Sequence, residues 1–345
     1  MTSIKHPDNE TVNQILSYFD KRDYNNLNSK ISNLVIDFPE SQTSWIFLGM
    51  FYNLLNKLDE SKKALLKAIN IDNKNPEANR LLADILRKQG KIEEAISYAK
   101  ISLIKNPEFS PSLDTLGSCY AAKKDFYRAE REFKKAIKFS KNNNLAIYLN
   151  NLGNLQRNAG KYKDSITSLK KAIELSPKIL QIHIHLSLAY LENNNQKEAI
   201  EILNKIEEKS INENDKANIF TAYAHIYRKL FDINKSEEYY KKALEVEGSR
   251  KSSIYNNLGE IYSIKRDYKK SLDFIDKAIN ESLENNGYIS NYIMNMAYFK
   301  SEDKEMVFNT IKNLSKKIHS IDLSNSFNSI EKKLDKKLNV GFISG

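Results

Sequence analysis

The sequence predicts an all-α protein, a solenoid of stacked helical hairpins ending in a short terminal β-strand, and three observations carry that expectation. Only 10 of the 345 residues are Gly and 6 are Pro. That leaves too few turn formers for a strand-rich fold, while the abundant Leu, Ile, Lys, Glu and Ala favour helix. A short phrase recurs: Leu48-Gly49 to Tyr52, Leu116-Gly117 to Tyr120, Leu152-Gly153, and Leu258-Gly259 to Tyr262. Aligned on the residue after the Leu, a mostly small column contains Ile15, Gly49, Ala83, Gly117, Gly153, Ser187, Ala224, Gly259 and Asn295. Its spacings are 34, 34, 34, 36, 34, 37, 35 and 36, and a period near 34 that tolerates small insertions points to stacked helical hairpins.

Each hairpin can be justified from its columns. One residue before and three after the small position, apolar residues recur one helical turn apart, as in Leu48 with Tyr52, Leu116 with Tyr120 and Leu186 with Tyr190; this is the buried stripe of a first helix. Twelve residues past the small position a second small residue recurs, as Ser61, Ala95, Ala129, Ser165, Ala199, Ser236 and Ser271. Seven further on stand Ala68, Ser102, Ala136, Ala172, Ala243 and Ala278, with Leu65, Phe133, Leu169, Leu203, Tyr240 and Ile275 between the two small columns. That is the second helix. Mid-helix Gly costs about 1 kcal/mol relative to Ala, so it is sensible only where another helix comes close. The bulky residues are expected to be knobs filling the next hairpin. Turns fall at Gln89-Gly90-Lys91 and Ala159-Gly160-Lys161 within hairpins, and at Asn106-Pro107 and Ser176-Pro177 after them.

The repeats run over about 8–41, 42–75, 76–109, 110–143, 146–179, 180–213, 217–250 and 252–285, with a degenerate ninth near 288–321. Residues 1–7 are read as an N-terminal tail, 8–321 as the repeat array, 322–337 as a connecting helix or linker, and 338–345 as the start of a further domain. The pattern resembles the tetratricopeptide repeat, through Trp45, Leu48, Gly49, Tyr52 and Ala68 in one copy and Leu116, Gly117, Tyr120, Ala129, Phe133 and Ala136 in another. The resemblance implies a right-handed superhelix of about eight to nine repeats that binds a protein or an extended peptide in its concave groove, with a homodimer also open.

Composition narrows the alternatives. The formal charge of +10 comes mostly from Lys spread along the chain among Glu and Asp, the pattern of solvated helix faces rather than of a nucleic-acid partner. No apolar run reaches the roughly 18 to 20 residues that span a bilayer, and the start, Met1-Thr-Ser-Ile-Lys-His, is no signal sequence. With Cys119 the single cysteine, no internal disulfide can form, and a reducing, cytoplasmic setting is expected.

In this family the first helices line the groove, so their polar residues are the binding candidates: Arg80, Asp84, Arg87, Asn150, Asn151, Asn154, Arg157, His225, Arg228, Asn256, Asn257 and Glu260. An Asn side chain presents a donor and an acceptor together and can pair with the amide of any extended peptide; the alternative is that these Asn are solvated or cap local turns. Asn151 and Asn257, just before the Leu-Gly, stand where O-linked N-acetylglucosamine transferases carry an asparagine ladder, although Phe47, Leu81, Thr115, His185, Ala222 and Ile293 occupy that column elsewhere. A clamp for a terminal carboxylate, with Lys and Asn at fixed inner positions, is disfavoured, since Ile46/Met50, Arg80/Asp84, Asp114/Ser118 and Asn150/Asn154 stand there.

No catalytic or metal site is expected. His183 and His185 fall on different helix faces, Cys119 is packing material, and the Lys pairs at 316–317, 332–333 and 336–337 are interleaved with Asp322, Glu331 and Asp335. The last residues, Lys337-Leu338-Asn339-Val340-Gly341-Phe342-Ile343-Ser344-Gly345, alternate as a strand does. A lone strand would leave its edge unpaired, so the chain is expected to be cut here. The phrase looks like the opening strand of the catalytic region in O-GlcNAc-transferase-like glycosyltransferases. That resemblance implies a recruiting arm without a cofactor of its own, with a nucleotide sugar bound downstream; the other reading is a free-standing adaptor.

Overall fold

The computed structural model describes residues 6–140, 144–208, 213–246, 251–281 and 286–299, with four isolated positions beyond them. Among these residues there are seventeen helices and no strand. They are α1 (Asn9–Lys21), α2 (Tyr24–Asp37), α3 (Gln42–Leu54), α4 (Leu58–Ile71), α5 (Pro76–Lys88), α6 (Ile92–Ser102), α7 (Ser110–Ala122), α8 (Phe126–Phe139) and α9 (Leu145–Asn158). They continue as α10 (Tyr162–Leu175), α11 (Leu180–Glu192), α12 (Gln196–Glu207), α13 (Glu213–Lys229), α14 (Ile233–Glu245), α15 (Lys251–Ile264), α16 (Tyr268–Glu281) and α17 (Asn286–Phe299).

The expected β-strand is therefore no part of the architecture, which is helical throughout the described residues. A strand is held by hydrogen bonds to a neighbour, and helices use their backbone groups internally. Positions 338–345, where the strand was placed, and the segment 322–337 lie outside the described residues.

Two compact units divide the chain, Met1–Ile202 and Leu203–Gly345. In the first, α1/α2, α3/α4, α5/α6, α7/α8 and α9/α10 form antiparallel hairpins, and α3, α5, α7, α9 and α11 pack in succession. In the second, α13/α14 and α15/α16 are hairpins, and α17 packs on both α15 and α16.

The small column explains how closely each hairpin closes. A Cβ added at Gly49 would stand 2.7 Å from Leu65 Cγ, at Gly117 2.8 Å from the Phe133 ring, and at Gly153 2.7 Å from Leu169 Cγ. Each obstructing residue belongs to the second helix of the same hairpin. The bulky column thus covers the small position of its own hairpin, contrary to the expectation that it fills the next one. Carbonyls exposed by this approach find a donor: Oγ of Ser61, Ser165, Ser236 and Ser271 donates to the carbonyl of Gly49, Gly153, Ala224 and Gly259 at 2.7, 2.7, 2.8 and 2.7 Å. In the hairpin of α11 the polarity is reversed, with Ser187 Oγ donating to the Ala199 carbonyl at 2.8 Å. All five serines are fully buried, so the hydroxyls of Ser61, Ser165, Ser187 and Ser236 depend on this bond for satisfaction, while Ser271 Oγ also lies 3.0 Å from Asn295 Oδ1.

A second device recurs seven residues past the small position. Arg22, Asn56, Gly90, Lys124, Gly160, Asn194, Phe231 and Arg266 all have positive φ, between 53° and 77°. The next residue's N–H donates back to the last helical turn, as from Lys91 to Leu86, Asp125 to Tyr120 and Asp267 to Tyr262, each at 2.9 Å. This left-handed closure satisfies the carbonyls a helix end leaves open. Asp23, Asp125 and Asp232 then cap the second helix, accepting from Asn26, Arg128 and Lys235 N–H at 3.2, 3.1 and 3.1 Å.

Replacing Gly259 with Ala would drive its Cβ into the buried Ile275 side chain. The expected loss is about 1–3 kcal/mol, more than the helix-propensity gain of about 1 kcal/mol. Urea unfolding is expected to show Gly259→Ala/Ile275→Ala less destabilised than the two single changes added together.

Candidate functional site

In the first unit α5, α7, α9 and α11 follow one another, so residues spaced three or four apart on each share a face with their counterparts. On α5, Arg80 pairs with Glu77, while Arg87 Nη2 donates to Asp84 Oδ1 at 2.7 Å and Lys88 lies 3.3 Å from Asp84 Oδ2. On α9, Asn151 Nδ2 donates to both carboxylate oxygens of Asp114 on α7, at 2.9 and 3.2 Å. Arg157 Nη2 donates to Asn154 Oδ1 at 3.1 Å. Asn150 reaches the other way: its Oδ1 accepts from His185 Nδ1 on α11 at 2.8 Å, and His185 Nε2 accepts from Gln181 Nε2 at 2.9 Å. With Nδ1 donating and Nε2 accepting, the imidazole is neutral.

A cleft of about 300 Å³ opens between these helices. Its polar rim is Arg87, Ser118, Asn151, Asn154 and Asn158, and its apolar lining is Ala121, Ala122, Phe126, Phe133 and Leu155. The structure therefore brings together Arg87, Asn151 and Asn154 of the expected site. Arg80 and Asp84 sit beside them, each tied to a neighbour on its own helix, and Arg157 joins through Asn154. Asn150 is buried and spent on the next hairpin.

Asp114, Ser118, Asn158 and His185 are additions. The first two were visible as the inner pair of their repeat, but a pattern search for Lys with Asn gives Asp with Ser no role. Asp114 is walled by protein, and burial pushes its carboxyl up to about 6, although Asn151 and Arg80 oppose the shift. Burial, with Arg157 next, pushes His185 down to about 4. Cys119 is buried and its thiol is pushed up to about 12, which removes it as a nucleophile.

The second unit has its own inner face. Arg228 on α13 pairs with Glu260 on α15, and His225 Nδ1 meets the Tyr240 hydroxyl at 3.2 Å. Asn256 is buried, its Oδ1 accepting from Asn291 Nδ2 on α17 at 3.0 Å. It links hairpins as Asn150 does. The half-buried Asn257 side chain makes no hydrogen bond among the described residues. The described residues contain no cluster of three or more His, Cys, Asp or Glu that could hold a metal ion, and no helix long and apolar enough to cross a membrane.

A tetratricopeptide repeat family model matches residues 42–75, 110–143, 217–249 and 252–285, and a second model of the same description matches 150–214. Together they take in more than half of the chain. A TPR repeat-containing protein of Methanocaldococcus jannaschii is 26% identical over 223 residues, 61% of this chain and 39% of that protein. The matched part is thus well under half of that relative's length. Among solved structures, a tetratricopeptide repeat protein from Parabacteroides merdae superposes with a TM-score of 0.56 at 20% identity, over 73% of this chain and 97% of that one. A human IFIT1 dimer with PPP-AAAA gives 0.59 at 17% identity, over 80% of this chain and 69% of that one. Likenesses this distant show the fold alone. None of these matches is a glycosyltransferase, and the phrase that suggested one lies outside the described residues, so that resemblance gains no support.

Two outcomes follow from the geometry. Asn256→Ala strips a buried link between hairpins and should lower stability by about 1–3 kcal/mol, whereas Asn257→Ala should stay within about 0.5 kcal/mol of the parent in the same denaturant titration. The second concerns pH. Folded Asp114 holds its proton up to about pH 6, while the unfolded carboxyl loses it near 3.8, so the folded state binds more protons in that window and stability falls as pH rises through it. His185 acts oppositely, its contribution being lost as pH falls from 6.5 toward 4. Asp114→Asn keeps an acceptor for Asn151 and isolates the first effect: its melting temperature should exceed the parent's above pH 6, the gap closing by about pH 4.

Proposed function

Because the chain belongs to the tetratricopeptide repeat family, we propose that it is a protein-interaction scaffold whose inner face of α5, α7 and α9 holds an extended polypeptide. The observation that carries this is the cleft shared by three successive hairpins. Its floor offers Ala121, Phe126 and Leu155 to an apolar side chain, and its rim offers the amides of Asn151, Asn154 and Asn158. Neighbouring first helices lie about 8–10 Å apart, which an extended chain crosses in roughly three residues. Each amide contact contributes only about 1 kcal/mol, so binding is spread over several hairpins rather than concentrated in one.

Asp114 already holds the Nδ2 side of the Asn151 amide, and Asn150 Nδ2 donates to its Oδ1 at 3.5 Å, leaving the second lone pair of that oxygen and the neighbouring Asn154 to meet a ligand. The groove is therefore a set of partly committed amides, and a continuous asparagine ladder is not its basis. A nucleic-acid partner fits this face poorly, because Asp84 and Asp114 would stand among successive phosphates.

Selection of displayed random twelve-residue peptides on the immobilised intact chain tests the proposal. Enriched peptides should bind Asn154→Ala more weakly, by about fivefold, the size of one lost hydrogen bond. The melting temperature of that variant should be unchanged. Peptides that bind both forms equally would place the grip elsewhere.

A further inference from the structure

Resting on the groove reading above, we infer that Arg157 is a carboxylate-reading position, so that the polypeptide taken by this face carries an Asp or Glu side chain close to its apolar anchor. Arg87 and Arg157 stand at the same column of their repeats, four residues past Ala83 and Gly153, but they are satisfied differently. Arg87 has an anionic partner in Asp84 at 2.7 Å. Arg157 has only the neutral amide oxygen of Asn154 at 3.1 Å.

No carboxylate lies within ion-pair distance of Arg157 among the described residues; its buried Nε has no hydrogen-bond partner, a condition it shares with Arg87, so the missing anion is what separates the two. Glu192 on α11 acts on it only from farther away, and burial, the largest influence, works against its charge. The neutral His185 beside it adds no compensating anion. A half-buried guanidinium left in this condition carries a desolvation cost that an incoming anion relieves. Its planar fork suits a carboxylate, which accepts two parallel N–H bonds.

The anion is assigned to a polypeptide rather than to a nucleic acid by the charges on either side. Asp114 and Asp84 lie along the same face, one and two hairpins away, and a phosphate backbone would meet both. A single carboxylate set among neutral peptide groups meets only Arg157. Asn154, which bonds Arg157 and also lines the cleft, places the apolar anchor and the carboxylate within a few residues of one another on the ligand.

The same display selection, sequenced position by position, provides the test. On the intact parent chain, Asp and Glu should be enriched at one position near an apolar residue. On Arg157→Gln that enrichment should vanish, and on Arg157→Lys it should persist in weakened form. A synthetic copy of an enriched peptide should bind Arg157→Gln about tenfold more weakly or worse, as expected for a lost charge-assisted bond, while its Asp→Asn version should bind both forms alike. Thermal melting of the two variants establishes that they fold. Enriched peptides with no acidic position, or an acidic preference that survives in Arg157→Gln, would overturn the Arg157 assignment and leave the groove intact. Failure to enrich any peptide on the parent would remove both. Tighter, Arg157-dependent binding of a twelve-nucleotide poly(A), steeply weakened between 50 and 200 mM salt, would make phosphate the anion and overturn the carboxylate assignment.

Discussion

The structure depends on how closely two antiparallel helices can approach within a hairpin. The limit is set by one small residue on the first helix lying under one bulky residue on the second, as Gly117 lies under Phe133 and Gly153 under Leu169. Close approach exposes a helix carbonyl to the partner helix, and in five hairpins a buried serine bonds across the gap. Packing and hydrogen bonding therefore select the same pair of columns. A Cβ in the first column or a lost hydroxyl in the second would each act on the same contact, which is how a repeat keeps its geometry while most of its sequence drifts.

With the hairpins held at that distance, the first helices of the first unit present a common face whose polar groups are divided between two tasks. Some connect neighbouring hairpins: Asn150 bonds His185, and Asn256 does the same for Asn291 in the second unit. Others remain at the rim of the cleft with hydrogen-bonding capacity to spare. One helix position apart is enough to change the task, since Asn150 is buried while Asn151 lines the opening. Charge on this face is largely neutralised locally, through Arg80 with Glu77 and Arg87 with Asp84, and Arg157 is where that neutralisation fails.

The hairpins were legible in the sequence because their signals are steric and periodic: a Gly in mid-helix with a bulky residue sixteen positions on has few other meanings. The direction of packing was harder. A knob inside its own hairpin and a knob in the next one produce the same periodicity, and only the distances from Leu65, Phe133 and Leu169 to the small positions separate them. Asn150 and Asn151 look alike in sequence, and nothing in the residue type says which faces a neighbour. The acceptor of Asn151, Asp114, comes from the preceding hairpin, a contact 37 residues long in sequence that no local pattern marks.

The turn column has a use that does not concern binding. Gly90, Gly160, Asn56 and Asn194 are the residue types usually found at such dihedral angles; the others are Arg22, Lys124, Arg266 and the 88% exposed Phe231. The helices on both sides impose the backbone there, and the side chain has nothing to do with it. All eight positions are solvent-exposed, one per hairpin. They form a built-in graduated scale: a cysteine-linked fluorophore could be attached at any of the six marks that already carry a side chain without disturbing the packed interior.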